Sequence, residues 1–275
     1  LRMMQGRYDE ARGYSQAALD MLADQDYGSP LWLLSMGNLG YIDFLQGDYE
    51  AALKVYDHTA IRTHDADRSP VGLAFATNNM GEVMQAIGNL PRALELFKEA
   101  YAIFKSFNHK RGMGFTLNNI AGVYNLSGHY DDASKIFAEA YDLYREVGDL
   151  GGIAHALSAM GNQARYVDAD YQAALDYYNQ SLSIRRELGD MRGMGDSLSD
   201  LGDTYLGVGD TQAARRYFEE SLAVRREIGD RQGVAQSMIW LGIAMHHSQQ
   251  ESSDILRAHF EQALSLSEEI NNDFC

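Results

Sequence analysis

Residues 198–205 read Leu-Ser-Asp-Leu-Gly-Asp-Thr-Tyr, and they are followed at fixed distances by Ala214, Phe218 and Ser221. The glycine of this stretch, Gly202, belongs to a series of small residues that recur every 40 or 41 positions. The series consists of Gly40, Gly81, Ala121, Gly161, Gly202 and Gly242. An alanine follows most members by about twelve positions, an aromatic residue comes four later, and a mostly small residue comes three after that. Such a period predicts one helical hairpin that is copied and stacked along the chain.

Each position of this register has a packing reason. Two helices approach closely only where a side chain is nearly absent, so a small residue in the first helix facing an alanine in the second supplies the close contact. The aromatic residue four positions after the alanine lies on the same face and fills the wider gap beside it. Glycine inside a helix costs roughly 0.5–1 kcal/mol relative to alanine. We therefore attribute the recurrent glycine to close packing.

Glycine and aspartate mark the turns. Between repeats, Gly148-Asp149, Gly189-Asp190 and Gly229-Asp230 predict a glycine that ends one helix and an aspartate that caps the next. The turn at Asp168-Ala169-Asp170 departs from the pattern, because it has no glycine and one extra residue. The whole pattern predicts about thirteen helices, mostly of about 13–17 residues.

These residues resemble the tetratricopeptide repeat in its longer form of about 40 residues. The match is closest at residues 198–205 and extends over essentially the whole chain. The family's early tryptophan and late proline are absent, and a two-residue insertion in the last repeat delays its aromatic residue, Phe260. The resemblance implies an all-α fold, a right-handed superhelical solenoid of antiparallel helix pairs whose first helices line a concave face.

The register divides residues 1–275 into a single array. We expect a half repeat at 1–27, because Gly6-Arg7-Tyr8 aligns with Gly47-Asp48-Tyr49 and no first helix precedes it. The six repeats that follow are 30–68, 70–109, 110–149, 150–190, 191–230 and 231–275. Because repeat arrays need polar caps, the uncapped ends predict a fragment of a longer protein that self-associates through its exposed repeat ends.

The composition restricts the partners. The chain carries 23 basic and 39 acidic residues, which gives a net charge of −16. Nucleic acids and anionic membrane surfaces both attract basic proteins, so neither is predicted as a partner. The single cysteine, Cys275, excludes an internal disulfide and is typical of a reducing compartment, so we expect a cytoplasmic protein.

The sequence gives no support to catalysis or to a cofactor. Gly112-Met113-Gly114 and Gly193-Met194-Gly195 are not preceded by a strand, so a nucleotide site is not favoured. His246 and His247 point about 100° apart on a helix, which does not favour a metal site. The arginine pairs at 185–186 and 225–226 end second helices, where we expect them to interact with the last carbonyls rather than bind phosphate. The chain is thus predicted to be no enzyme and to need no cofactor.

The resemblance also implies where a ligand binds. In the family, ligands are held by first-helix residues at three places, namely three before the small residue, one after it, and four or five after it. The first place gives Asn78, Asn118, Ser158 and Ser199. The second gives Tyr41, Glu82, Asn162 and Asp203, and the third gives Phe44, Gln85, Asn125, Arg165, Tyr166 and His246. Our candidate site comprises these residues except Ser158, Ser199 and His246. The family's clamp for a C-terminal carboxylate uses lysines at the first place, so that subtype is not expected here.

Two functional hypotheses follow. The first is a protein-interaction or sensor module, since long repeats with Gly-Asp junctions resemble the arrays of bacterial signal-transducing ATPases, of transcription regulators and of animal polarity adaptors. Such a module would bind a basic, extended or helical protein segment, because amide side chains both donate and accept hydrogen bonds and the net charge is negative. The second is a regulatory array that is allosterically coupled to a catalytic domain (an ATPase, a protease or a cyclase) outside these residues.

Overall fold

The computed structural model describes residues 8–22, 29–64, 69–248 and 251–273. Within these ranges the chain forms thirteen α-helices and no β-strand, so the predicted all-α fold is confirmed. The helices are α1 (Tyr8–Met21), α2 (Pro30–Leu45), α3 (Tyr49–His64), α4 (Pro70–Ala86), α5 (Leu90–Ser106), α6 (Lys110–Leu126), α7 (Tyr130–Val147), α8 (Leu150–Tyr166), α9 (Tyr171–Leu188), α10 (Met191–Gly207), α11 (Thr211–Glu227), α12 (Arg231–Ser248) and α13 (Ser253–Asp273). The alignment at Gly6, on which the half repeat rests, lies outside the described residues.

The helices form two compact units, Arg7–Ala156 and Leu157–Cys275, here called the N-terminal and the C-terminal unit. Helix α8 crosses the division and contributes residues to both. Within each unit, helices that follow one another in sequence pack together, as α4 does with α5, α6 with α7, and α10 with α11. This nearest-neighbour packing is typical of helical repeats.

An aromatic ring lies directly over the recurrent glycine of a hairpin. A β-carbon at Gly81 would lie 2.6 Å from the ring of Phe97, and one at Gly202 would lie 2.8 Å from the ring of Phe218. Both rings are completely buried. We expected the alanine of the second helix to make this closest contact; instead the ring makes it, and the alanine is buried in the same cluster, as Ala214 is with Phe218. The first helix therefore needs a glycine at this position, because a side chain there would collide with the aromatic ring of the second helix.

The Gly-Asp junctions have the predicted geometry. The glycines that end the second helices have left-handed φ angles, which are 67° at Gly148, 64° at Gly189 and 72° at Gly229. The aspartate then accepts a hydrogen bond from the backbone N–H three residues later, and for Asp190 and Gly193 this bond is 3.0 Å long. The other two junctions repeat it. Each junction thus both ends a helix and caps the next one.

In the turn at residues 168–170, which has no glycine, an alanine adopts the left-handed conformation instead. Ala169 has a φ of 54°, in the left-handed region that costs an L-residue roughly 1–2 kcal/mol. Asp170 follows and accepts a hydrogen bond from the N–H of Ala173 at 3.0 Å. The cap of α9 is therefore retained although the glycine is missing.

Two arginines at the ends of second helices reach across the junctions. Arg225 Nη2 donates to Asp196 Oδ1 at 2.8 Å. Arg185 Nη1 donates to Ser197 Oγ at 3.0 Å and also to the carbonyl of Gly193. A β-carbon at Gly193 would lie 2.8 Å from Cδ of Arg185, so the glycine admits the arginine. Arg185 on α9 thus joins the following first helix, α10. Arg225 on α11 joins the preceding first helix, α10, and its Nη1 donates to Gln236 Oε1 on the following one, α12, at 3.4 Å. We expected both side chains to interact with the carbonyls of their own helices.

We predict that Gly202→Leu destabilises the fold by at least about 1–3 kcal/mol, the range typical of overpacking. The physical reason is the buried ring of Phe218, which occupies the space that the new side chain would need. Urea unfolding measures the change. Gly13→Leu is the control, because Gly13 lies in α1 and a β-carbon there meets nothing within 4 Å. Equal loss of stability in both variants would contradict the assigned packing.

Candidate functional site

Two aromatic candidates lie together on α2 of the N-terminal unit. The rings of Tyr41 and Phe44 are stacked, with centroids 6.2 Å apart and an interplanar angle of 16°. Tyr41 is exposed, whereas Phe44 is half-buried and its ring lies 5.8 Å from that of Tyr49. Tyr41 is therefore available to a ligand, and Phe44 mainly supports it.

Two amides hold the carboxylate of Glu82. Nδ2 of Asn78 donates to Glu82 Oε1 at 3.2 Å within α4. Nδ2 of Asn119, on α6, donates to the same oxygen at 2.9 Å and to Asn78 Oδ1 at 3.2 Å. The sequence predicted Asn78 and Glu82 but missed Asn119. A carboxylate is thus fixed between two first helices by neutral donors.

Burial makes this carboxylate hard to ionise. It raises the pKa of Glu82 from 4.5 to about 7, although the hydrogen bonds from Asn119 and Asn78 lower the pKa. A charged group loses more hydration than a neutral one when it is buried, and amide donors replace only part of that hydration. Near neutral pH, a nearby cation would therefore favour the ionised form of Glu82.

The remaining amides of α4 and α6 are less accessible than expected. Asn118 is only 5% exposed, and neither polar atom of its side chain has a hydrogen-bond partner among the described residues. Oδ1 of Asn125 is likewise buried without a partner. Gln85 is half-buried, and its Nε2 lies 3.9 Å from the position of a β-carbon at Gly122. Asn118, which the family resemblance places at a ligand-holding position of the concave face, thus lies in the packed interior.

A different row of asparagines is accessible in the N-terminal unit. Asn38, Asn79 and Asn119 each precede the small residue of their helix by two positions, and all three are half-buried. They recur at intervals of 41 and 40 residues, the same spacing as the glycines. That spacing was the signal that could have identified them. Together with Tyr41 and Glu82, these asparagines form what we call the N-terminal face.

Four candidates come together in the C-terminal unit. Arg165 on α8 forms an ion pair with Asp203 on α10, and Tyr166 Oη donates to Asp203 at 2.8 Å. The guanidinium of Arg165 lies 4.4 Å from the ring centroid of Tyr166. Asn162 is exposed and its Oδ1 accepts a hydrogen bond from Tyr178 Oη at 2.7 Å. We call Asn162, Tyr166 and Asp203, with Asp200 described next, the C-terminal face.

Asp200 is an acidic residue that the sequence analysis did not select. It lies on α10 one turn before Asp203 and one turn after Asp196. Burial, and then the charge of Asp196, raise the pKa of Asp200 to about 7. Because Arg225 and Arg165 already bind the two outer aspartates, the middle carboxylate is the one left to respond to a ligand's charge.

The serines at the first place have a structural role. Ser158 Oγ lies 3.0 Å from Ser181 Oγ, and Ser199 Oγ lies 2.9 Å from Ser221 Oγ. Each pair joins a first helix to the second helix of the same hairpin. In the C-terminal unit the serines three positions before the small residue therefore take part in packing, as Asn78 and Asn118 do in the N-terminal unit.

Both faces offer hydrogen bonding, aromatic surface and carboxylates. Among the described residues, no group of three or more His, Cys, Asp or Glu side chains is placed to hold a metal ion. In the same part of the chain, every helix is too short or too polar to cross a membrane.

The fold and these faces define the class of protein, a helical-repeat solenoid built from helix pairs. The tetratricopeptide repeat model matches residues 72–146 and 152–227, more than half of the chain. The chain therefore belongs to the tetratricopeptide repeat family, whose repeats generally mediate protein–protein interactions, and no catalytic family is indicated. No curated protein matches the chain in sequence.

Solved structures show the same fold at low sequence identity. A Rap protein complexed with Competence and Sporulation Factor is 16% identical with a TM-score of 0.73, over 98% of this chain and 72% of that chain. A signal transduction ATPase with a tetratricopeptide repeat sensor, from Pyrococcus horikoshii, is 13% identical with a TM-score of 0.68, over 93% of this chain and 37% of that chain. BtubC from P. vanneervenii is 17% identical with a TM-score of 0.59, over 82% of this chain and 92% of that chain.

We predict that Glu82 makes the folded protein less stable as the pH rises. Between about pH 4.5 and 7 the folded state holds a proton on Glu82 that the unfolded chain has released, so stability falls with pH in this window. Glu82→Gln should reduce that fall, which urea unfolding across the window measures. The control is Glu95→Gln, at an exposed residue of α5. An unchanged pH dependence in Glu82→Gln would show that Glu82 ionises normally.

Proposed function

We propose that this chain is a non-catalytic scaffold or sensor module that binds protein segments, both on the N-terminal face and on the C-terminal face. The observation that carries the proposal is the row of Asn38, Asn79 and Asn119, which presents one amide per repeat at equal spacing. An amide side chain can donate to a peptide carbonyl and accept from a peptide N–H, so a regular row of amides suits an extended backbone. Because Nδ2 of Asn119 already donates to Glu82 and Asn78, Asn119 would offer its Oδ1 as an acceptor. The aromatic surface of Tyr41 and Tyr166 adds apolar contact area.

The proposed partner is basic. The net charge of −16 attracts basic segments at long range. At short range, Glu82 and Asp200 are carboxylates whose pKa values are raised to about 7, so a lysine or arginine beside them would favour their charged form. Nucleic acid and membrane surfaces are not proposed as partners, because both carry negative charge.

Several further features are proposed together with this function. The division into the half repeat 1–27 and the six repeats, the cytoplasmic location and the absence of a cofactor follow from the sequence. All eleven candidate residues remain in the proposed site, with Asn78, Asn118 and Asn125 acting from beneath the surface. Among them, only Tyr41, Asn162 and Tyr166 are exposed.

A second candidate function is a regulatory array coupled to a catalytic domain. The observation that favours it is the likeness to the signal transduction ATPase, in which a tetratricopeptide repeat sensor accompanies other domains. In that arrangement the segment bound by the faces would belong to, or control, the catalytic domain. Binding of a free basic peptide with no effect on any attached domain would favour the first function.

We predict that Tyr41→Ala and Asn119→Ala weaken binding of peptides that the N-terminal face selects from a random library, and that Asn162→Ala weakens binding of those that the C-terminal face selects. The loss should be about 1–3 kcal/mol for each variant, because each removes a hydrogen bond or an aromatic contact in the interface. Fluorescence anisotropy of labelled peptides measures it. Glu95→Ala on α5 is the control and should bind as the native chain does. Equal affinity of all four variants would place the binding surface elsewhere.

A further inference from the structure

A cavity of about 510 Å³ opens between α2 and α4 in the N-terminal unit. Its walls are mainly apolar and are formed by Leu33, Leu34, Gly37, Val71, Phe75 and Ala76. Leu34 is 62% exposed, so a large aliphatic side chain stands uncovered at this cavity. The volume lies in the range of roughly 300–1,000 Å³ that is usual for ligand sites.

Packing does not explain Gly37, although it explains the next glycine of α2. A β-carbon at Gly37 would meet nothing within 4 Å, whereas one at Gly40 would lie 2.7 Å from Cζ of Tyr56. Glycine weakens a helix relative to alanine, so the fold alone would favour a side chain at position 37. The glycine instead leaves the cavity open.

The cavity also has polar groups that suit a peptide backbone. Asn38 and Asn79, both members of the asparagine row, line it. They occupy equivalent positions on α2 and α4, so their amides lie on successive first helices. A segment whose side chain enters the cavity can thus place its own amide groups beside them.

A carboxylate adjoins this uncharged cavity. None of the residues that line it has a formal charge. Glu82 follows Phe75 by seven residues on α4, about 10 Å along the helix. Burial and then the charge of Glu82 raise the pKa of Tyr56, whose side chain lines the cavity. An apolar space and a carboxyl group that a cation would ionise are therefore within reach of one short segment.

We infer that this cavity takes a bulky aliphatic or aromatic side chain of an extended protein segment that carries a lysine or arginine within about three residues of it. The apolar side chain fills the space beside Gly37, the backbone binds Asn38 and Asn79, and the cation pairs with Glu82. This inference rests on the proposed function, because it names the chemistry of the segment that the N-terminal face binds.

Selection of a random nonapeptide library displayed on phage, with the full chain as bait, tests the inference. We expect the enriched peptides to share a bulky apolar residue with a lysine or arginine within about three positions. Gly37→Leu should weaken their binding at least about tenfold, because the new side chain fills the cavity from its wall. Gly13→Leu, the same change at an open and exposed position of α1, should not. The melting temperature of Gly37→Leu should equal or exceed that of the native chain, since leucine favours the helix more than glycine does.

Leu34→Ala gives a second route to the same result, because the exposed Leu34 side chain can be shortened without opening the core. It too should weaken binding, and so should replacing the peptide's apolar residue with alanine. Enriched peptides that lose affinity on Asn119→Ala but bind Gly37→Leu and Leu34→Ala normally would overturn the inference and leave the proposed function intact. If the enriched peptides are indifferent to all three variants, the inference is overturned. If they are also indifferent to Asn162→Ala, or if no peptide is enriched, the proposed function is overturned as well.

Discussion

The contact between an aromatic ring and a glycine decides where every other side chain of a first helix lies. Successive residues of an α-helix are about 100° apart, so fixing Gly81 beneath Phe97 fixes the directions of its neighbours. The residue two positions before the glycine points about 160° away from the ring, and the residue one position after it points about 100° away. Both therefore stay accessible. The position three before points only about 60° away and is buried. Asn79 and Asn78 show the difference, because Asn79 is half-buried whereas Asn78 is completely buried.

This geometry explains what the sequence could and could not predict. The Gly-Asp caps were predictable because each depends on residues within one helical turn, as with Asp190 and Gly193. The register of small residues was predictable because it recurs every 40 or 41 positions. The candidate site was carried over from the family by position. The position three before the small residue is buried in this chain at Asn78 and Asn118, where it takes part in helix packing. The amide of Asn119 binds Glu82 and Asn78, which lie 37 and 41 residues before it on α4, and no local pattern encodes these bonds. Asparagine recurs in the sequence two positions before the small residue, at Asn38, Asn79 and Asn119. The 100° rotation per helical residue would have identified this position as an accessible one.

Net charge is a poor guide to the charge of a binding face. The chain carries −16, yet two of the three aspartates on α10 are bound by arginines from other helices. What remains at the faces is two carboxylates, Glu82 and Asp200, whose burial opposes ionisation. By linkage, a cation that stabilises the charged form of such a group is itself bound more tightly when the group is charged. In the binding mode that we propose, selectivity for a basic partner would therefore come from two half-buried groups more than from the acidic surface as a whole.

Glycine serves two different purposes within α2, and only the three-dimensional environment distinguishes them. At Gly40 the ring of Tyr56 forbids a side chain, so the glycine belongs to the fold. At Gly37 the space is empty, and the same residue lowers the stability of the helix without any gain in packing. An open apolar cavity beside an uncovered Leu34 exposes surface that a folded chain normally buries. These two losses of stability fall on one cavity, beside the asparagine row and the carboxylate of Glu82, and for this reason we infer that a ligand side chain fills it.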